Sequence, residues 1–106
     1  MRIISGSLKG KKILLPKNNE TRPLKDLAKE SIFNVINHSN KFNLNINKAR
    51  VLDIFSGVGS FGLECLSRGA DQLVFIENYS EALTILKKNL TNLISKNNYR
   101  IIEQDA

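Results

Sequence analysis

Three acidic residues in the second half of the chain each close, or nearly close, a short apolar run. They are Asp53, Glu77 and Asp105, and a glycine-rich turn follows the first of them. If the runs are parallel strands, their carboxyl ends meet at one edge of a sheet, where open α/β sheets bind ligands. Carboxylates there would accept hydrogen bonds from hydroxyl and amino groups. The pattern predicts a ligand site at this edge, and strand-end solvation is the alternative for Glu77 and Asp105.

The turn from Gly57 to Gly62 fits the formula G-x-G-x-x-G, which dinucleotide-binding enzymes also use. Asp53 precedes Gly57 by four residues. A pyrophosphate bound at the turn would be repelled by that carboxylate by about 1–4 kcal/mol at short range. S-adenosylmethionine has no phosphate and carries a sulfonium and an ammonium, which Asp53 would attract. The charge therefore favours S-adenosylmethionine over NAD, and an NAD-dependent oxidoreductase stays as an alternative.

Charge is distributed unevenly along the 106 residues. The chain has 16 Lys and Arg against 10 Asp and Glu, a net charge of +6. Residues 1–50 hold 11 basic and 3 acidic residues, a net of +8, whereas residues 51–106 hold 5 and 7, a net of −2. A basic half indicates a polyanionic partner such as RNA. A lysine-rich composition caused by an AT-rich coding sequence is the alternative explanation.

Composition excludes several classes of protein. One cysteine excludes a disulfide framework and a multi-cysteine zinc site, so we expect no metal and a reducing, cytoplasmic location. No run approaches the roughly 18 apolar residues of a membrane span, and the N-terminal run is too short for a signal peptide. We expect Cys65 to lie in the core and His38 to lie in an asparagine-rich linker.

The first half predicts a hairpin, a helix and a linker. The apolar runs 2–4 and 13–15 predict two strands joined by a basic, glycine-containing connection. A helix is predicted from Thr21–Pro23 onward, and residues 37–48 are predicted as the linker. The predicted apolar face of the helix is Leu24, Leu27, Ala28, Ser31, Val35 and Ile36, with Lys25 and Lys29 on the opposite side.

From residue 50 onward, strand, helix, strand, helix and strand alternate. The run 51–55 predicts a buried strand, and the helix after the glycine turn is predicted to stop at Gly69. Ser80 is predicted to cap the second helix. Short turns between such elements predict a parallel sheet with right-handed crossovers. The expected domains are therefore residues 1–48, an RNA-facing extension, and residues 49–106, an α/β domain.

One segment resembles the nucleotide-binding turn of the RsmD-type 16S ribosomal RNA guanine-N2 methyltransferases: Asp53-x-Phe55-x-Gly57-x-Gly59-x-x-Gly62-Leu63-Glu64. Further segments similar to this family are Arg2-Ile3-Ile4-Ser5-Gly6 with Lys9-Gly10-Lys11-Lys12, Arg22-Pro23 with Asp26, Lys29-Glu30 and Phe33-Asn34, then Ser67-Arg68-Gly69-Ala70 and Gln104-Asp105-Ala106. The resemblance covers essentially the whole chain. It implies the Rossmann-like class I methyltransferase fold, of which this chain holds the first three strands. It also implies S-adenosylmethionine as cofactor, with S-adenosylhomocysteine as product.

The resemblance also implies roles for residues. Asp53 and the backbone of Gly57 and Gly59 would hold the methionine part, Glu77 would accept both ribose hydroxyls, and Asp105 would accept the adenine amino group. Asn78 stands where a methyltransferase often has an apolar residue that stacks on adenine, so Tyr79 is an alternative for that role. The predicted cofactor-binding residues are Asp53, Phe55, Gly57, Gly59, Glu77, Asn78, Asp105 and Ala106. The predicted RNA-binding residues are Arg2, Lys9, Lys11, Lys12, Arg22, Lys25 and Lys29.

Two departures from the family pattern limit the expected activity. Leu24 and Leu27 stand where family members usually have threonine and arginine. The family's Asn/Asp-Pro-Pro-Phe/Tyr motif, which would grip and stack the target base, does not occur in residues 1–106. We therefore predict no catalytic residue in this chain and no methyl transfer by it alone.

The favoured function is methylation of guanine N2 in small-subunit ribosomal RNA, by a cytoplasmic enzyme of which this chain is the N-terminal part. The expected partner is ribosomal RNA or the assembling small subunit, with no membrane. A truncated, non-catalytic module that binds RNA or a partner protein is the alternative. We expect a monomeric full-length parent, and association of this chain through its exposed sheet edge.

Overall fold

The computed structural model describes residues 1–16, 26–38, 45–54 and 56–104. Its helices are α1 (Asp26–His38), α2 (Ser60–Ser67) and α3 (Ser80–Leu93). Its strands are β1 (Arg50–Asp53), β2 (Gln72–Ile76) and β3 (Tyr99–Ile102). The alternation predicted from residue 50 onward is therefore confirmed.

The three strands form one parallel sheet in the order β1-β2-β3. Asp53 pairs with Phe75 across β1 and β2, and Ile76 pairs with Ile102 across β2 and β3. Since all three strands run in the same direction, their carboxyl ends share one edge of the sheet. The predicted ligand site at the strand ends depends on this arrangement.

The N-terminal segment, residues 1–16, folds back on itself as predicted, but its pairing is short. Arg2 and Lys12 form an isolated antiparallel bridge. The Ile3 N–H donates to Lys11 O at 2.9 Å and the Ile13 N–H donates to Met1 O at 2.9 Å. A Cβ added at Gly6, where φ is +90°, would lie under 3.0 Å from the Ser67 carbonyl. The segment therefore packs directly on the backbone of α2.

One hydrophobic core joins the two halves of the chain. Ile3 and Ile13 of the N-terminal segment and Phe33 of α1 are buried in the same cluster as the apolar residues of the sheet and its helices, namely Leu63, Leu66, Leu73, Phe75, Leu83, Leu86 and Leu90. The predicted domain boundary near residue 48 stays a prediction, and the core crosses it.

The predicted apolar face of α1 is wrong for most of its described members. Ala28 and Ser31 are exposed, and Val35 is 55% exposed. Lys29 and Phe33 are instead buried completely. Lys29 has a buried partner, described below, and it lies one turn from Phe33, so these two residues set the inward face. Ile36 is partly buried. The predicted helix start lies in residues 17–25, outside the described ranges.

Two further predictions about elements are corrected. The run 51–55 is not a buried strand, because Leu52 of β1 is 57% exposed and Ile54, directly after β1, is 44% exposed. Leu73 and Phe75 of β2 lie against Gly62 of α2. Leu52 pairs with Val74, so alternation along the strands turns Leu52 to the opposite face of the sheet, where its side chain is exposed. Ser80 does not cap α3; the N-cap is Tyr79, without a side-chain cap.

Glycine at position 62 allows α2 to pack closely on β2. A Cβ there would lie under 3.0 Å from the Phe75 ring. We predict that Gly62→Ala destabilises the chain by about 1–3 kcal/mol, because overpacking outweighs the gain of about 1 kcal/mol in helix propensity. Urea unfolding measures the difference. Thr91→Ala on the exposed side of α3 is the control, and an unchanged or raised stability of Gly62→Ala would contradict the prediction.

Candidate functional site

At the sheet edge where the cofactor is predicted to bind, the structure describes the acidic residues at the ends of two of the three strands. Asp53 ends β1 and Glu77 follows β2 directly, so the parallel register brings both carboxyl-bearing residues to the same edge. Phe55, Asp105 and Ala106 lie outside the described residues, and their predicted roles stay predictions.

The carboxylate of Glu77 is held against the glycine turn by backbone N–H groups. Its Oε1 accepts from Gly57 N at 2.7 Å, and its Oε2 accepts from Asn78 N at 3.1 Å and from Tyr79 N at 3.0 Å. A carboxylate offers about four acceptor positions, so these bonds use most of them. Glu77 therefore links the end of β2 to the turn after β1, a role that sequence reasoning missed.

Two glycines of the turn adopt left-handed backbone conformations, with φ of +54° at Gly57 and +93° at Gly59. A Cβ at Gly59 would lie 2.5 Å from Leu86 Cδ1 of α3, whereas a Cβ at Gly57 would meet no atom within 4 Å. A side chain at position 59 would therefore have to displace the end of the Leu86 side chain, and the positive φ also favours glycine there. The space next to the Cα atom of Gly57 is therefore open.

This open space and the two carboxyl-bearing residues fit a cationic ligand that approaches the backbone closely. Glycine at position 57 lets a ligand reach the main chain, and the carboxylates disfavour a pyrophosphate there. The charge at this edge therefore suits a cationic ligand better than a pyrophosphate. Asn78 and Tyr79 are exposed beside Glu77, with Tyr79 at 41%, so the choice between them for adenine stacking stays open.

The basic N-terminal segment presents four cations to solvent: Arg2, Lys9, Lys11 and Lys12. The Arg2 guanidinium also donates to Gly10 O at 2.8 Å. Two further candidates for RNA contact, Arg22 and Lys25, lie outside the described residues.

Lys29 was predicted to contact RNA, and that prediction is wrong. Its side chain is completely buried, with its Nζ 3.3 Å from Glu64 Oε1. The Glu64 carboxylate also accepts from the N–H groups of Ile4 and Ser5, at 2.9 and 3.0 Å, and from Arg68 Nε at 2.8 Å. A cation committed to a buried carboxylate is not available to a phosphate. The local signal for this cluster was the pair of Glu64 on α2 and Arg68 directly after the helix, four residues apart.

The same partners determine the ionisation of Glu64. Burial by itself raises the pKa of this carboxyl, but the Ile4 N–H, the Arg68 guanidinium, the Lys29 ammonium and the Ser5 N–H together bring the pKa below its ordinary value. The folded chain therefore holds Glu64 ionised. Arg68 additionally lies 4.3 Å above the Phe33 ring, which stacks on Phe61 at 5.0 Å between centroids.

Cys65 lies in the core, as expected. Its side chain is buried, and burial, with the charges of Asp53 and Glu64, raises the pKa of its thiol to about 12. A thiol with this pKa is not a nucleophile near neutral pH. His38 lies at the exposed end of α1 rather than in a linker.

Other features lie away from this edge or are absent from the described residues. A cavity of about 370 Å³ near the amino ends of β2 and β3, between Leu8, Asp71 and Lys96, contains none of the predicted site residues. No group of three or more potential metal ligands occurs in the described ranges. Within the same ranges, no helix is both long and apolar enough to cross a membrane.

Comparisons with known proteins agree on one family. The profile of the family described as Conserved hypothetical protein 95 matches residues 1–106. YlbH of Bacillus subtilis (strain 168) is 37% identical over 106 residues, which are 100% of this chain and 54% of YlbH. Ribosomal RNA small subunit methyltransferase D of Escherichia coli (strain K12) is 35% identical over 106 residues, 100% of this chain and 50% of that protein.

The solved structure of Escherichia coli YhhF superimposes with a TM-score of 0.81 at 33% identity, covering 100% of this chain and 53% of that one. The chain therefore spans about half the length of the relatives it matches. These similarities confirm the resemblance seen in the sequence, and the superposition confirms the fold class.

The lowered pKa of Glu64 predicts a contribution to acid stability. Because the folded pKa lies below the unfolded value of about 4.5, ionised Glu64 stabilises the fold above that pH, and the contribution is lost as the pH falls through the folded pKa. We predict that Glu64→Gln is less stable than the unchanged chain at pH 7 and shows a shallower loss of stability between about pH 5 and pH 3. Urea unfolding across this range measures both. Glu30→Gln, on the exposed side of α1, is the control, and a Glu64→Gln profile parallel to it would contradict the prediction.

Proposed function

We propose that this chain, which belongs to the family described as Conserved hypothetical protein 95, the RsmD-type methyltransferase family, forms the cofactor-binding and RNA-facing part of a ribosomal RNA methyltransferase. The cofactor is S-adenosylmethionine, which supplies a methyl group on a cationic sulfur. The target is the exocyclic N2 amine of a guanine in small-subunit ribosomal RNA. This target rests on the family resemblance.

The observation that carries the proposal is the fixed carboxylate of Glu77 beside the open side of Gly57. Three N–H donors orient the carboxylate before any ligand binds, which lowers the entropy cost of binding. One ribose hydroxyl donates to the acceptor position of the Glu77 carboxylate that the three N–H groups leave. The second hydroxyl displaces one of these N–H donors. The N–H groups of the exposed residues Asn78 and Tyr79 can turn to water when they are displaced. Glu77 thus serves as a ribose acceptor whose position is set by the turn.

The second half of the proposal concerns RNA. Arg2, Lys9, Lys11 and Lys12 form one exposed basic segment, and point charges on a glycine-containing loop suit a phosphate backbone. The segment packs on α2, which is the helix that begins directly after the glycine turn. Contacts between lysine or arginine side chains and the phosphate backbone position an RNA without recognising its sequence. Choice of the target guanine is therefore assigned to other parts of the enzyme.

Replacing Glu77 tests the cofactor site. We predict that Glu77→Ala weakens binding of S-adenosylhomocysteine about tenfold or more, because hydrogen bonds to a charged group contribute about 1.5–3 kcal/mol each. Isothermal titration calorimetry measures the affinity, and a thermal melt verifies folding. Glu30→Ala is the matched control on α1. An unchanged affinity in Glu77→Ala would reject the role of Glu77, and tighter binding of NADH than of S-adenosylhomocysteine would favour an oxidoreductase.

Replacing the exposed lysines tests the RNA-facing segment. We predict that the triple variant Lys9→Ala, Lys11→Ala, Lys12→Ala loses RNA affinity and that its slope of log affinity against log salt falls by about 2, since each phosphate contact contributes about 0.7–0.9. Fluorescence anisotropy with a single-stranded RNA measures both. The control is Lys87→Ala, Lys88→Ala, Lys96→Ala, which removes the same charge elsewhere. Equal losses in both variants would indicate non-specific attraction, and RNA binding without cofactor binding would favour the non-catalytic module.

A further inference from the structure

Asn89 is a buried polar residue of α3, only 1% exposed, and it contacts two separate parts of the chain. Its Oδ1 accepts from Leu14 N at 2.8 Å, and its Nδ2 donates to Leu14 O at 3.2 Å. The same Nδ2 donates to Val58 O at 2.9 Å. Both amide hydrogens and the amide oxygen are therefore engaged. The Asn89 amide bonds to both backbone groups of Leu14, as a neighbouring strand would. Its second Nδ2 hydrogen bonds to the glycine turn.

The bond to Val58 O fixes a peptide group inside the turn. The carbonyl of Val58 and the N–H of Gly59 belong to one planar peptide unit, so holding the oxygen also sets the direction of that N–H. On the other side of Val58, the N–H of Gly57 is held by Glu77. Asn89, from α3, thus fixes the Val58–Gly59 peptide group, and Glu77, directly after β2, fixes the Ser56–Gly57 peptide group, so the turn is held on both sides of the Gly57–Val58 peptide group.

The bonds to Leu14 connect this turn to the basic segment. Leu14 follows Ile13, whose side chain is completely buried and whose N–H pairs with Met1 O. The lysines of the segment lie on the loop between these paired ends. A shift of the segment at Leu14 therefore changes the position of Asn89, and with it the support of Val58.

We infer that Asn89 is a positioning residue that links the basic segment to the glycine turn, so that RNA on the segment and cofactor at the turn each strengthen binding of the other. This inference rests on the proposed function. Its physical basis is that a ligand ordering one end of the Leu14–Asn89–Val58 connection lowers the ordering cost at the other end. Linkage requires the effect to be equal in both directions.

The test is titration of S-adenosylhomocysteine into the chain with and without a 20-nucleotide single-stranded RNA of mixed sequence. We expect RNA to raise the affinity of the unchanged chain about fivefold or more, within the usual range of coupling between sites. In Asn89→Leu, which keeps the branched shape of the side chain but removes its hydrogen bonds, the ratio should fall to about one. Asn92→Leu, on the exposed side of the same helix, should keep the full ratio. A merely structural Asn89 would lower the melting temperature and leave the ratio unchanged.

A second measurement needs no variant and covers the case in which Asn89→Leu does not fold. Hydrogen exchange of the Leu14 amide should slow when S-adenosylhomocysteine binds, although Leu14 lies in the basic segment. Unchanged exchange at Leu14, or a ratio near one in the unchanged chain, overturns the inference while leaving the proposed function intact. Absence of S-adenosylhomocysteine binding in the unchanged chain overturns both.

Discussion

The carboxylate of Glu64 is buried, and its need for partners determines where three parts of the chain meet. Removing a carboxylate from water costs several kcal/mol unless cations and donors surround it. Here the donors come from separate places: the N–H groups of Ile4 and Ser5, the ammonium of Lys29 on α1, and the guanidinium of Arg68 directly after α2. A shift of any of these parts would leave charge uncompensated. The N-terminal segment, α1 and α2 are therefore held in one arrangement.

Close packing extends this constraint to the candidate site. α2 lies between the N-terminal segment and β2, and the glycines at positions 6 and 62 allow both contacts because neither carries a side chain. The turn that precedes α2 is supported by Glu77 from the sheet and by Asn89 from α3. The turn thus has little freedom of its own, and its conformation follows from the packing of the surrounding elements.

The elements of residues 50–104 and the edge that holds the candidate site could be predicted from sequence, because apolar runs and glycine breaks are local signals. The buried face of α1 could not. Helical periodicity assigns Lys29 to solvent, and its partner Glu64 lies 35 residues away along the chain. The exposure of Leu52 likewise depends on which elements cover that face of the sheet, and the residues of the strand itself do not determine this. At the site, Glu77 was found by its place after β2, but its backbone donors depend on the folded turn.

The burial of Cys65 has a consequence for how this fold can be observed. The chain contains one thiol, which is fully enclosed beside Glu64 and has its pKa raised to about 12. An alkylating reagent at neutral pH meets neither an accessible sulfur nor a thiolate until α2 separates from its neighbours. The rate at which the reagent reacts therefore measures opening of the junction around α2. The native sequence carries its own chemical reporter of that opening, without a label or a substitution.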